Sequence, residues 1–136
     1  TGLNKIFVPL RSLEHLRKIK PDFTAIENFS RANNTIGMYC YSLETIGNAT
    51  AHCRNFAPVV GIMEDSATGT SAAALSCVLH RFGMFSGETS LALSYEQGYS
   101  IGQPAELLVF LQCHEKNISS VRVAGRAGIR ENIQLK

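Results

Sequence analysis

The pattern of apolar and polar positions predicts one long buried helix among many strands. KIFVPL (Lys5 to Leu10) is a short apolar run ended by Pro9, the pattern of a buried strand. Ser12 then stands as the cap of a helix over Leu13 to Lys20. Leu13, Leu16 and Ile19 share one face of it, and Pro21 stops it. The segment Thr24 to Asn34 is mixed and carries no clear period. IGMYCYSL (Ile36 to Leu43) and ATAHCRNFAP (Ala49 to Pro58) read as a strand pair turned at Asn48.

Residues Thr70 to Phe82 form the strongest helical pattern, with Ala72, Ala73, Ala74, Leu75, Cys77, Val78, Leu79 and Phe82 leaving little polar face. A helix apolar nearly all round belongs inside a structure. Strand patterns resume at Leu91 to Gln97, Glu106 to Cys113 and Ser120 to Gly125, with Gly98, Gly102 and Pro104 marking turns. The expected fold is α+β, with an antiparallel sheet curled around the central helix.

A chain of 136 residues is large enough for one domain that buries roughly two-thirds of its unfolded surface. Its 13 basic and 11 acidic residues are dispersed, with only Arg17, Lys18 and Lys20 bunched. That pattern argues against nucleic acid as a partner. The apolar runs are too short to span a bilayer as helices, so no membrane role is expected. Cys40, Cys53, Cys77 and Cys113 lie far apart without metal-ligand spacing, which reads as free thiols of a cytoplasmic protein. The three Asn-x-Ser/Thr sequons, at Asn33, Asn48 and Asn117, read as chance matches. The four histidines fall on helices and strands in no catalytic spacing, and hydrogen-bonded structural roles are expected for them.

Candidate chemistry is concentrated in MEDSATGTSAAAL, residues Met63 to Leu75. A helix start leaves backbone N–H groups unpaired and carries partial positive charge. Gly69, Thr70 and Ser71 have small side chains, so an anionic ligand such as a substrate carboxylate can reach those N–H groups. Glu64 and Asp65 lie just upstream, and either could serve as general acid or base in a partly dry cleft. Adjacent acids in an extended segment point opposite ways, one toward the cleft and the other toward solvent or a structural partner. The competing reading is ordinary helix punctuation, with Thr68 or Thr70 as N-cap. The residue pattern alone leaves both open.

RNFAPVVGIMEDSATGTSAAAL, residues 54–75, resembles the R-x-FAP-x-x-G-x-x-EDPATGSA signature of the PhzF-like phenazine-biosynthesis family. TGLNKIFVPLRSLEHL at the start, EQGYSIGQP at Glu96 to Pro104 and VRVAGRA at Val121 to Ala127 are similar to further family segments, in the family's order. The resemblance implies half of a diaminopimelate epimerase-like fold, an antiparallel sheet barrel wrapped around a central helix. It also implies cofactor-independent proton transfer in a cleft between two such domains. By motif position Asp65 is the cleft aspartate and Gly69 and Thr70, with Ser71 beside them, bind substrate. Glu64 is left a structural role.

The match implies a single C-terminal domain over 1–136, with the N-terminal partner domain and its catalytic Glu absent from this chain. Ser66, Thr70, Ser71 and Gln103 replace the family's Pro, Ser, Ala and Arg. The implied function is one wall of an isomerase or epimerase cleft for a small carboxylic acid. The other wall would come from the complementary half or from a second copy in a homodimer. The alternative is a non-catalytic anion-binding or assembly module. Neither metal nor cofactor is expected.

Overall fold

The computed structural model describes residues 2–114, 117–126 and 128. Thr1 and Ala127, each at one end of a family-like segment, lie outside the described residues. Among the described residues seven strands form one sheet: β1 (Ile6–Pro9), β2 (Met38–Ser42), β3 (Ala51–Ala57), β4 (Ile62–Asp65), β5 (Ser90–Gln97), β6 (Ala105–His114) and β7 (Asn117–Gly125). Among the same residues three α-helices accompany them, α1 (Leu13–Arg17), α2 (Phe23–Ala32) and α3 (Gly69–Arg81), with short 3₁₀ turns at Pro58–Val60 and Tyr99–Ile101.

The sheet runs β1-β2-β3-β5-β6-β7, with β4 attached to β3. Two expectations are corrected here. The sheet is mixed, because β1 pairs parallel with β2 and β3 pairs parallel with β5. It is also open as described, since β1 and β7 end the order rather than pairing with each other. The α+β class itself is as expected. Each parallel pair needs a helical crossover. Helices α1 and α2 carry the chain from β1 to β2, and α3 lies in the crossover from β3 to β5.

Ser12 caps α1 as the sequence indicates, its hydroxyl accepting from His15 N–H at 3.2 Å. Helix α1 then ends three residues earlier than expected. The mixed segment after Pro21 is helix α2, capped by the Asp22 carboxylate, which accepts from Ala25 N–H at 2.9 Å. Only three apolar residues, Phe23, Ile26 and Phe29, carry its inward stripe, and Phe29 remains half exposed. That stripe is too thin for periodicity alone to reveal, although Pro-Asp is a recognisable helix-start signal.

Two apolar layers sandwich the sheet. On one face, Ala72, Leu75 and Leu79 of α3 pack with Tyr39, Cys53, Tyr95, Val109 and Leu111. On the other, Leu16, Ile19, Phe23 and Ile26 of the α1–α2 region cover Cys40, Phe56 and Met38. Every residue of β3 is buried, as a central strand between two layers requires. Full burial of a Leu or Phe side chain contributes about 2–3 kcal/mol, so these two clusters supply much of the stability. Helix α3 is apolar nearly all round but is not enclosed all round: Ala74, Cys77 and Val78 are half buried, and Thr70 and Arg81 are exposed.

Candidate functional site

The site lies where the sheet forks. Strand β3 pairs with β5 through Ala51–Cys53 and with β4 through Asn55 and Ala57, so β4 and β5 occupy successive stretches of the same edge. The backbone between β4 and α3 crosses the end of β5 and loses its sheet partners there. Its polar groups must find side chains instead.

Gln97, the last residue of β5, provides them. It is fully buried. Its Nε2 donates to the Asp65 carbonyl at 2.8 Å and to Thr68 Oγ1 at 3.0 Å. Its Oε1 accepts from Thr68 N–H at 3.3 Å and from the Tyr39 hydroxyl at 2.9 Å. Gly98 follows in the left-handed region at φ +82°, and a Cβ there would lie 2.9 Å from the Ser66 carbonyl and 2.1 Å from the Gln103 carbonyl. The β5 end is thus pressed directly against the Asp65–Thr68 turn.

Thr68 occupies the N-cap position of α3, but its hydroxyl does not cap the helix. It donates to Asp65 Oδ2 at 2.6 Å. Ala72 N–H bonds the Thr68 carbonyl at 3.0 Å, beginning the helical ladder. Among the described residues no acceptor meets the N–H groups of Gly69, Thr70 or Ser71. Helix punctuation by a threonine cap is therefore not what this turn does. Ser71 is buried, whereas Thr70 is exposed. Gly69 is close-packed, since a Cβ would come within 2.9 Å of Val123 Cγ1 on β7.

The two adjacent acids do point apart. Glu64 makes a two-pronged ion pair with Arg54, at 2.9 Å to Nε and 2.8 Å to Nη2, with both side chains only 7% exposed. Arg54 also donates to the carbonyls of Leu16 and Ile19, tying α1 to β3. Asp65 lies on the opposite face, in register with Asn55, which in turn is in register with Tyr39. Lys5 reaches the neighbourhood of Asp65. Burial lowers its ammonium pKa to about 8, against the pull of the Asp65 charge.

A second carboxylate, Glu96, is structural. It accepts from Ile46 N–H at 2.8 Å, Gly47 N–H at 2.6 Å and His52 Nδ1 at 2.8 Å. Burial alone would raise its pKa, but these hydrogen bonds outweigh that and lower it. His52 thus has the hydrogen-bonded role expected of it. Among the described residues no group of three or more His, Cys, Asp or Glu is placed to hold a metal ion. An open groove of about 570 Å³ adjoins the turn at Ala67 and runs between Pro104, Glu106, Leu107 and Val123.

Asp65, Gly69, Thr70 and Ser71 all sit in one turn, so the structure brings together what the sequence already placed side by side. It adds residues that no spacing reveals, Gln97, Tyr39 and Asn55, and binds the Thr68 hydroxyl to Asp65 instead of to the helix. The EQG run was the available signal for Gln97 and Gly98, without chemistry attached.

The profile of the PhzC-PhzF family, described as phenazine biosynthesis-like protein, matches residues 1–132. The chain belongs to this family. Among its relatives, a Deinococcus radiodurans protein described as an uncharacterized isomerase is 33% identical over 136 residues, covering 98% of this chain and 43% of that protein. The trans-2,3-dihydro-3-hydroxyanthranilate isomerase of Pseudomonas fluorescens is 28% identical over 124 residues, covering 91% and 41%. A PhzF-family crystal structure from Bacillus anthracis superposes with a TM-score of 0.74 at 23% identity, over 82% of this chain and 38% of that one. The chain thus spans less than half the length of these PhzF relatives. No helix among the described residues is long and apolar enough to cross a membrane.

Proposed function

We propose that this chain forms one wall of the substrate cleft of a PhzF-like isomerase acting on a small carboxylic acid without a cofactor. Asp65 is the proton-transfer group. The N–H groups of Gly69, Thr70 and Ser71, at the positive end of α3, hold the substrate carboxylate. In the reaction the Asp65 carboxylate takes a proton from carbon, and the C–H electron pair moves into the neighbouring unsaturated system. A proton returned at another carbon completes an isomerisation with no change of composition.

The observation that carries this reading is the diverted cap: Thr68 binds Asp65 and leaves the first N–H groups of α3 unmet beside that carboxylate. The opposite wall comes from a complementary N-terminal half or from a second copy, in a pair of diaminopimelate epimerase-like domains. The family's named isomerases support the reaction class.

A second reading, a non-catalytic anion-binding or assembly module, is favoured by one observation. Glu64 is committed to Arg54, so Asp65 is the one acid of the pair left for chemistry. Moving a proton between two positions is commonly shared by two groups. Deuterium incorporation in D₂O separates the readings, using trans-2,3-dihydro-3-hydroxyanthranilate as the probe. It is followed with the chain alone and with a family N-terminal half supplied. Enzyme-dependent exchange that falls at least about 100-fold in Asp65→Asn supports the isomerase. Exchange unchanged in that variant removes Asp65 from the mechanism, and absence of exchange in both settings favours the binding module.

A further inference from the structure

Asn55 is 2% exposed, and among the described residues no partner meets its carboxamide oxygen. Leaving a buried amide oxygen unpaired costs about 1–3 kcal/mol, and native structures rarely do so without a reason. The cost is not a general feature of this region. Tyr39, in register on β2, is bonded to Gln97, and Asp65, in register on β4, is bonded to Thr68.

Position gives the reason. Cross-strand neighbours share a face, so Asn55 stands between Tyr39 and Asp65 on the α3 side of the sheet, one step beyond Cys53 of the core. Arg54 and Glu64 turn to the other side. The unmet N–H groups of Gly69, Thr70 and Ser71 begin four residues after Asp65. Two separate sets of unsatisfied polar groups therefore flank one carboxylate. The helix end asks for an anion. A carboxamide carries donors and acceptors, and so asks for a group that does both, such as a hydroxyl.

We propose that Asn55 is a further ligand-binding residue: its carboxamide hydrogen-bonds a hydroxyl carried by a small carboxylic acid whose carboxylate rests on the start of α3. The proposal rests on the reading of Asp65 and the α3 start as a substrate site, and adds to it a residue that selects hydroxylated acids over bare ones. Asn55 positions the ligand and takes no part in proton transfer.

The test is nuclear magnetic resonance of the ¹⁵N-labelled full chain titrated with benzoate, 2-hydroxybenzoate and 3-hydroxybenzoate. Benzoate is expected to shift the backbone amides of Gly69, Thr70 and Ser71 only. At least one hydroxybenzoate is expected to shift these together with the Asn55 side-chain NH₂ pair, and to bind about fivefold more tightly than benzoate. Asn55→Ala should level that preference while the Gly69–Ser71 response to benzoate persists, which also shows the variant to be folded. If saturating hydroxybenzoates move Gly69–Ser71 but leave the Asn55 pair unmoved, Asn55 is not a ligand-binding residue and the helix-end reading stands. If none of the three acids moves Gly69–Ser71, both readings fail together.

Discussion

Glu64 and Asp65 are neighbours in sequence, yet their environments have almost nothing in common. Glu64 is sealed against Arg54, whose other N–H groups hold the end of α1. Asp65 keeps a half-buried carboxylate beside an uncapped helix. Strand geometry explains the division, because consecutive residues of β4 face opposite sides of the sheet. Removing one partner of a buried ion pair leaves an uncompensated charge and costs about 3–5 kcal/mol. Glu64→Gln is accordingly expected to destabilise the chain by about 3 kcal/mol in urea unfolding, and Asp65→Asn by about 1 kcal/mol or less. Equal losses for the two variants would contradict this division of labour.

The fork between β4 and β5 shapes the site at the level of elements. Gln97 replaces the sheet hydrogen bonds that the turn after β4 has lost, and Gly98 lets the two segments touch. A side chain at Gly98 meets two backbone carbonyls and a left-handed φ, whereas Gly102, at φ +67°, has nothing within 4 Å of its missing Cβ. Gly102→Ala should therefore cost only the left-handed penalty, about 1 kcal/mol. Gly98→Ala should cost at least about twice that and shift the amide resonances of Ser66–Thr68. A Gly98→Ala variant as stable as Gly102→Ala would mean that the fork is looser than described.

At the scale of the whole molecule, α3 has one face against the sheet and another only partly covered. Cys53 lies at the centre of the sheet–helix core, and burial pushes its thiol up to about 12. Cys77 sits on the less covered side of α3, half buried, with its pKa raised by burial as well. Thiolates react and thiols do not, and a core thiol reacts only through unfolding. Iodoacetamide at pH 8 should alkylate Cys77 at least about tenfold faster than Cys53, with Cys53 following the rate of global unfolding in mild urea. Mass spectrometry of timed samples reads both. Equal protection of Cys77 would show that this side of α3 is covered in solution.

Much of the architecture was legible in local pattern. The apolar pattern over Ala72–Leu79, broken only by Ser76, marked α3 within a residue at each end, because helix periodicity and small residues act within one segment. The strands around Tyr39, Cys53, Tyr95 and Val109 were visible for the same reason. The acid–turn–helix order of Asp65 and Gly69–Ser71 is likewise local, so the sequence by itself determined which residues could form an anion-binding helix start. Strand β4 was too short to declare itself, and the stripe of α2 was too thin. What the tertiary structure alone decided is everything that depends on partners distant in the chain. Sheet direction at β1–β2 and β3–β5 depends on which edges meet after the crossovers. The Gln97 bonds to Asp65 and Thr68 join residues that share no sequence period. The burial of Asn55 follows from its place in the central strand β3, opposite Asp65, which only the assembled sheet specifies.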